Sequence, residues 1–439
     1  MQPLEYLFGL EFHGHKLGLD NIRALTDALG RPQDACPSVV VAGTNGKGSV
    51  CAMASAALAA AGYRTGCYTS PHLVRIEERF RIDGVMVAPS ELEDVVTRLR
   101  ALADRLLADG RLRAAPTFFE AATAAAFELF RQRGVDVAVL EVGMGGRLDA
   151  TSVASPRAGA ITNIALDHQQ YLGATLEEIA AEKAGIVKPG MRLVSGERNA
   201  GPRGVIAAAC AARGAVLVQA DEGVTLSAGM DGGVTRMTLR TPAGAYGPLQ
   251  LGLRGRHQVR NALVAVRLLE ALSDAGVAVP AAAIERGLRE ARWPGRLDWR
   301  RLADGRRVLL DAAHNEAGAA ALAAYLREAV PDGRQPLVFG AVRDKDHAGM
   351  LRHLLPSAAP IVLTAPPTPR AADPDLLLAA VRAIDPGARV VVERDPAAAM
   401  DAAWAVARDI TVAGSIFLLG AVVPVLDARG AIADGVPAQ

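Results

Sequence analysis

The run Gly43-Thr44-Asn45-Gly46-Lys47-Gly48-Ser49 follows the apolar residues Val39 to Ala42 and precedes a helical pattern. Glycines in that position let backbone N–H groups turn toward phosphate oxygens, the helix start adds its positive dipole end, and Lys47 supplies a cation for the outer phosphates. The spacing departs from the standard Walker arrangement, because Gly48 separates Lys47 from Ser49. Phosphate binding is the reading this favours over a purely structural turn. A second polar run, Leu140-Glu141-Val142-Gly143-Met144-Gly145-Gly146-Arg147-Leu148-Asp149, ends another apolar stretch. Glu141 there is a hard oxygen donor suited to Mg²⁺, and the glycines allow close approach of a substrate to backbone. Read alone, the same run is equally a surface loop with an incidental acid.

A third run, Ile161 to His168, again follows a strand pattern, and Glu182-Lys183-Ala184-Gly185-Ile186 closes a helical one. Later in the chain, Asp311-Ala312-Ala313-His314-Asn315 ends the apolar Val308 to Leu310, and Asp344-Lys345-Asp346 follows Leu337 to Gly340. Asn315 or Asp344 could merely cap the helix that follows.

The elements that must hold these groups alternate. Short β-branched runs (Val39 to Val41, Val135 to Leu140, Ala158 to Ile161) are separated by Ala/Leu-rich helical patterns, which predicts βαβ units around a mostly parallel sheet. Ligands of such sheets bind beyond the carboxyl ends of the strands, where the polar runs fall. From Gly223 to Leu253 the pattern changes to alternating segments between Gly-rich turns, predicting an antiparallel annex, and a helix follows from Gln258. After Trp293-Pro294-Gly295-Arg296 a second series predicts strands at Val308 to Leu310, Leu337 to Phe339, Ile361 to Leu363, Val390 to Val392 and Ile416 to Leu419. The expected fold is α/β: a P-loop-type, mostly parallel sheet domain with an antiparallel annex over residues 1–293, then a smaller Rossmann-like α/β domain over 294–439, with a cleft between them.

A chain of 439 residues is large enough for two cores. With 51% hydrophobic and 22% charged residues and a net charge of +1, it has no overall field for gripping nucleic acid or an acidic membrane. Cys36, Cys51, Cys67 and Cys210 lack metal or disulfide spacing and read as reduced thiols in a cytoplasmic protein. The N-terminal apolar stretch is interrupted by Glu5 and Glu11, and the run from Ala52 to Ala61 is too short to span a bilayer, so neither export nor membrane insertion is expected.

Taken in order, these motifs resemble the folylpolyglutamate synthase and dihydrofolate synthase family, relatives of the Mur ligases. The matching stretches are Leu17 to Ile22, the Gly43 to Ser49 loop, Ser70-Pro71-His72-Leu73, Phe119-Glu120, Glu141 to Thr151, Ile161 to His168 with Gly173 and Thr175, Glu182 to Ile186, Pro294-Gly295-Arg296, Asp311 to Asn315 and Asp344-Lys345-Asp346. They extend over nearly the whole length.

The resemblance implies that Gly43, Thr44, Asn45, Gly46, Lys47, Gly48 and Ser49 hold ATP phosphates, and that Ser70, Glu141 and His168 bind Mg²⁺. It implies that Asn261, Arg296, Asp311 and His314 contact the nucleotide, and that Lys183 is carbamylated. Lys47, Lys183 and His168 would be the catalytic set. Phe119, Arg147, Asp149 and Ala150 would bind substrate, Asp149 accepting paired hydrogen bonds from a pterin ring. Ser152 stands where the family pattern has Asn.

The implied reaction is two-step. A substrate carboxylate attacks the γ-phosphate of ATP to give an acyl phosphate and ADP, and the amine of L-glutamate then displaces phosphate. Dihydropteroate and reduced folate are the implied acceptors of a bifunctional, monomeric enzyme. A Mur-type ligase acting on a nucleotide-linked cell-wall precursor and a nucleotide-dependent switch remain as alternatives. The Gly146 to Thr151 segment favours the folate reading over the first, and a switch would not need His168, Lys183 and Asp311 at strand ends.

Overall fold

The structure, a computed structural model, describes residues 2–10 and 18–433. Glu11, and Leu17 of the Leu17 to Ile22 stretch, lie outside the described residues. The chain divides into two units: Met1–Leu226 with Thr238–Leu249 and Arg260–Ala291, and Ser227–Met237 with Gln250–Val259 and Arg292–Gln439.

The first unit contains an eight-stranded sheet: β1 (Ser38–Ala42), β2 (Thr65–Tyr68), β3 (Phe80–Ile82), β4 (Val85–Met86), β5 (Val137–Glu141), β6 (Ala158–Ile161), β7 (Arg192–Ser195) and β8 (Val216–Gln219), in the order β4-β3-β2-β5-β1-β6-β7-β8. The six strands from β2 to β8 in that order are parallel, while β3 and β4 join antiparallel at one edge. Strands β1 and β5 are buried at every position, which is why both read as continuous apolar runs rather than alternating ones. Because their neighbours run the same way, the segments after β1, β2, β5, β6 and β7 all emerge at one sheet edge.

Helices 89–108 and 118–132 pack on β2 and β5 through Leu92, Val95, Phe127, Tyr68 and Leu140. Helices 176–184 and 200–212 pack around Val40, Ile161 and Leu193 through Ile179, Ala180 and Ile206. Helix Lys47–Ala60 crosses helix Ala281–Glu290 so closely that a Cβ on Gly287 would overlap the Ala57 backbone. Gly287→Ala should therefore push two packed helices apart and lower stability by about 1–3 kcal/mol, read as a shift of the denaturant midpoint at constant slope.

The Gly223 to Leu253 region folds as a three-stranded antiparallel sheet of β9 (Thr225–Asp231), β10 (Val234–Arg240) and β11 (Ala245–Gln250). The expected helix follows as His257–Asp274.

The second unit is built on seven strands: β12 (Asp298–Arg301), β13 (Arg307–Asp311), β14 (Gln335–Phe339), β15 (Ala358–Leu363), β16 (Val390–Val392), β17 (Asp409–Ala413) and β18 (Ile432–Ala433), ordered β16-β15-β14-β17-β13-β12-β18. Strands β13 to β17 are parallel, and β12 and β18 add antiparallel at the β13 edge. One expectation fails here. Ile416 to Leu419 is not a strand but the first turn of helix Ile416–Ala428; the strand is β17, just before it. Ser415 caps that helix by accepting from the Phe417 N–H, after a Gly414 at φ +113° turns the chain.

Candidate functional site

The loop from Gly43 to Gly46 is held open by its neighbours. Gly43 has φ +140° and Gly46 φ +86°, and a Cβ on either would collide, with Thr162 Oγ1 and Asn261 Oδ1 respectively. Gly46 then starts helix Lys47–Ala60, placing Lys47 at its first position.

The segment after β6 anchors the loop. Asn163 accepts from the Thr44 N–H through its carbonyl (2.9 Å) and from the Asn45 N–H through Oδ1 (3.0 Å), and Thr162 Oγ1 donates to the Asn45 carbonyl at 2.6 Å. Thr44 Oγ1 donates to the Ala165 carbonyl and accepts from the Ala165 N–H. The backbone N–H groups of Thr44 and Asn45 are thus committed within the protein. An anion at this loop would meet the first turn of helix Lys47–Ala60 instead.

Two lysines converge on this loop. Lys47 Nζ donates to the carbonyls of Gly43 (3.1 Å) and Thr44 (3.2 Å), and Lys183 Nζ donates to the same Gly43 carbonyl at 3.0 Å. Lys183 comes from the last turn of helix Leu176–Ala184 and is only 4% exposed. Burial, with the charge of Lys47 beside it, lowers its pKa to about 7, against the opposing pull of Asp167 and Asp149. A substantial fraction of this amine is therefore neutral and nucleophilic near neutral pH.

Glu141 is the buried last residue of β5, and its Oε2 accepts from the Ser70 N–H at 3.1 Å in the segment after β2. His168 adopts φ +51° and is exposed, with Nε2 3.9 Å from Asp167. Among the described residues no group of three or more His, Cys, Asp or Glu side chains is gathered for a metal. The donors fit Mg²⁺ as it binds beside nucleotides, where one or two carboxylates are completed by phosphate oxygens and water. Glu141 and Ser70 would hold it, with His168 on the segment after β6 at the same sheet edge.

The glycine-rich segment after β5 packs on the end of helix Leu176–Ala184. The Arg147 N–H donates to the Glu182 carbonyl, its guanidinium pairs with the Glu182 carboxylate at 2.8 Å, and Cβ atoms on Gly146 or Gly185 would overlap the opposing backbone. Asp149 is buried at the centre of this segment. Its Oδ2 accepts from the N–H groups of Gly143 and Met144, and its Oδ1 from the N–H and hydroxyl of Thr151. Those four donors fill a carboxylate's usual capacity, so Asp149 orders the turn leaving Glu141 before it meets any ligand. Burial raises its pKa while these hydrogen bonds pull it down. Phe119 lies against Gly143, and Ala150 is buried in the turn beyond. Ser152 donates to the Gly146 carbonyl at 2.5 Å and so keeps the turn tied.

In the second unit the Arg296, Asp311 and His314 group gathers at the end of β13. Buried Asp311 accepts from the N–H groups of Leu297 (2.9 Å) and Ala313 (2.9 Å), and the Ala312 N–H returns to the Gly295 carbonyl. Burial raises the Asp311 pKa, and the Arg296 charge opposes that rise. His314 Nδ1 lies 2.9 Å from the Ala312 carbonyl. Asn315 caps helix Glu316–Ala329. Asp346 caps the helix after β14, whereas Asp344, the cap candidate in the sequence, pairs with Arg370.

The reading of the sequence gave no role to Glu197, a buried acid after β7 whose carboxylate receives the Ile164, Arg198 and Asn199 N–H groups. Its only sequence signal is an acid just beyond a strand, which is too common to single out. Cys51, Cys67 and Cys210 are buried, Cys36 is half-buried, and all four are unpaired. Among the described residues no helix is long and apolar enough to cross a membrane.

Residues 113–269 match the Mur ligase middle domain and residues 295–419 the Mur ligase glutamate ligase domain. The dihydrofolate synthase/folylpolyglutamate synthase of Mycobacterium tuberculosis is 38% identical over 82% of this chain and 76% of that protein. The chain spans about half the length of some curated relatives it matches: a "Probable bifunctional folylpolyglutamate synthase/dihydropteroate synthase" of Haloferax volcanii is 36% identical over 95% of this chain but 49% of that protein. Among solved structures, Escherichia coli FolC in complex with DHPP and ADP superposes with a TM-score of 0.85 at 32% identity, covering 98% of this chain and 99% of that one. A bifunctional folylpolyglutamate synthase/dihydrofolate synthase with Mn, AMPPNP and L-glutamate bound gives 0.82 at 31%, covering 97% and 98%. With a glycine-rich loop, a buried lysine and a strand-end carboxylate at one sheet edge, and relatives of this identity and coverage, the chain belongs to the folylpolyglutamate synthase/dihydrofolate synthase family of the Mur ligase superfamily.

Proposed function

We propose that this chain is an ATP-dependent amide ligase that adds L-glutamate to dihydropteroate and to reduced folates through an acyl phosphate, releasing ADP and phosphate. The observation that carries this is the convergence of Lys47 and the buried Lys183 on one loop carbonyl, at the sheet edge where Glu141 ends β5.

Lys47 and the first turn of its helix hold the outer phosphates of ATP and balance the charge that accumulates as the γ-phosphoryl group moves to the acceptor carboxylate. Asn261 packs against Gly46 and fixes the start of that helix. Ser70, Glu141 and His168 would hold Mg²⁺, which would supply counter-charge to the phosphate oxygens. Lys183 reacts as its neutral amine with CO₂, forming an N–C bond and releasing one proton; the carbamate places a negative oxygen donor where an ammonium would repel the metal. Phe119, from helix Phe118–Gln132, lines the acceptor side with Arg147 and Ala150, and Asp149 shapes the loop that bears the last two. A pterin bonding to the Asp149 carboxylate must displace a loop N–H. Arg296, Asp311 and His314 form the second unit's nucleotide-contacting group.

The functional domains divide at residues 293 and 294, close to Arg292, where the long last segment of the second unit begins. The enzyme works as a cytoplasmic monomer, in keeping with its four unpaired thiols.

The test is product mass and phosphate release with ATP, Mg²⁺ and L-glutamate, comparing dihydropteroate with a reduced monoglutamyl folate. Addition to both is expected. Addition to one alone assigns the single activity, and addition to neither while an ATP analogue binds would remove the folate assignment.

A further inference from the structure

We propose that Glu197 is a positioning residue that sets the conformation of the nucleotide loop from two strands away. This rests on reading the Gly43 to Ser49 loop as the ATP phosphate site.

Glu197 follows β7, is 4% exposed, and neither touches that loop nor belongs to any motif that led to it. Its two oxygens divide their work. Oε1 accepts from the N–H groups of Arg198 (2.8 Å) and Asn199 (2.7 Å), closing the turn after its own strand. Oε2 reaches across to the segment after β6 and accepts from the Ile164 N–H at 2.6 Å. Gly196 brings the two segments together: its N–H donates to the Ile161 carbonyl at 2.8 Å, and a Cβ there would overlap the Thr162 carbonyl oxygen.

Ile164 directly follows Asn163, whose carbonyl and side-chain oxygen hold the Thr44 and Asn45 N–H groups, and Ala165 on its other side exchanges two hydrogen bonds with the Thr44 hydroxyl. A continuous set of bonds thus runs from β7 through the β6 segment to the loop after β1. The carboxylate is the member that no neutral side chain replaces. It accepts three N–H groups on two oxygens, whereas a glutamine amide offers one oxygen and turns N–H groups toward the remaining donors. A buried N–H facing another N–H moves until it finds a partner, so the β6 segment, and with it Asn163, shifts.

The test is Glu197→Gln in the full chain. Three readings are taken: the Kd of a non-hydrolysable ATP analogue, the KM values for ATP and dihydropteroate, and the thermal midpoint. Displacement of the loop should weaken the analogue and raise the KM for ATP by roughly tenfold or more, leaving the KM for dihydropteroate within about twofold. A folded variant that loses thermal stability but binds the analogue within twofold of the parent overturns the proposal, since Glu197 would then only stabilise the fold. If Glu197→Gln does not fold, Glu197→Asp keeps the charge but shortens the reach, and the same two thresholds decide. If the parent protein binds no ATP analogue, the nucleotide reading fails and this inference with it.

Discussion

Lys47→Ala should lower kcat/KM for ATP by about 10²–10³-fold, the usual loss when one preorganised donor to a transferring group is removed from a water-poor site. Two effects combine. The first is electrostatic: the ammonium is half-buried at the first helical position, beside N–H groups that also favour negative charge. The second is conformational, because Lys47 Nζ bonds the carbonyls of Gly43 and Thr44 and so ties the loop that Asn163 anchors from the other side. Lys47→Arg separates them. It keeps the charge, but its planar fork cannot reproduce a compact ammonium bonded to two nearby carbonyls, so it should recover only a minor part of the loss. Phosphate release at saturating acceptor and glutamate is the measurement. A Lys47→Ala enzyme within tenfold of the parent would take Lys47 out of phosphoryl transfer.

Removing Lys47 also removes the positive neighbour that helps depress the Lys183 pKa. The two lysines are therefore not independent, and a double variant should fall short of the product of the single effects.

What was legible in the sequence followed from periodicity and from glycine. Strands β1, β5 and β6 are fully buried apolar runs, and the loop after β1 needs glycine at two positions where any side chain would collide. Both facts leave plain marks. Ile416 to Leu419 was misread because a short apolar run has no period of its own. The Ser415 cap and the continuation of the apolar run to Leu426 are what make it a helix. Asp149 shows a different limit. Its residue type suits a pterin, but its partners are backbone N–H groups of its own turn, and backbone geometry is not written in residue types. Glu197 was invisible for the same reason. By contrast, the joint presence of the Gly143 to Thr151 and Glu182 to Ile186 motifs acquires a physical basis, since Gly146 and Gly185 allow the two segments to touch.

Lys183→Ala should reduce turnover by roughly 10²–10³-fold while leaving the Kd of a non-hydrolysable ATP analogue within a few-fold. Lys183 contacts the loop only through the Gly43 carbonyl, which keeps its bond to Lys47 when Lys183 is lost. Formate or acetate at high concentration should restore part of the activity by placing an oxygen anion in the vacated space, and full activity without rescue would remove Lys183 from the mechanism. The pH dependence is a second handle. Carbamate formation consumes a neutral amine, so with a pKa of about 7 the activation by added bicarbonate should be large above pH 7 and fade below it. In CO₂-free buffer the same group leaves a signature in stability. Its pKa falls from 10.5 in the unfolded chain to about 7 in the folded one, so between those values the unfolded chain holds a proton that the folded chain does not. The contribution to unfolding free energy therefore rises with pH across that window and is flat below it. Lys183→Met, which fills the space without titrating, should abolish the bicarbonate response and flatten the slope by this group's share, the remainder belonging to half-buried Lys188, whose pKa burial also lowers; retention of the bicarbonate response would locate the carbamylated amine elsewhere.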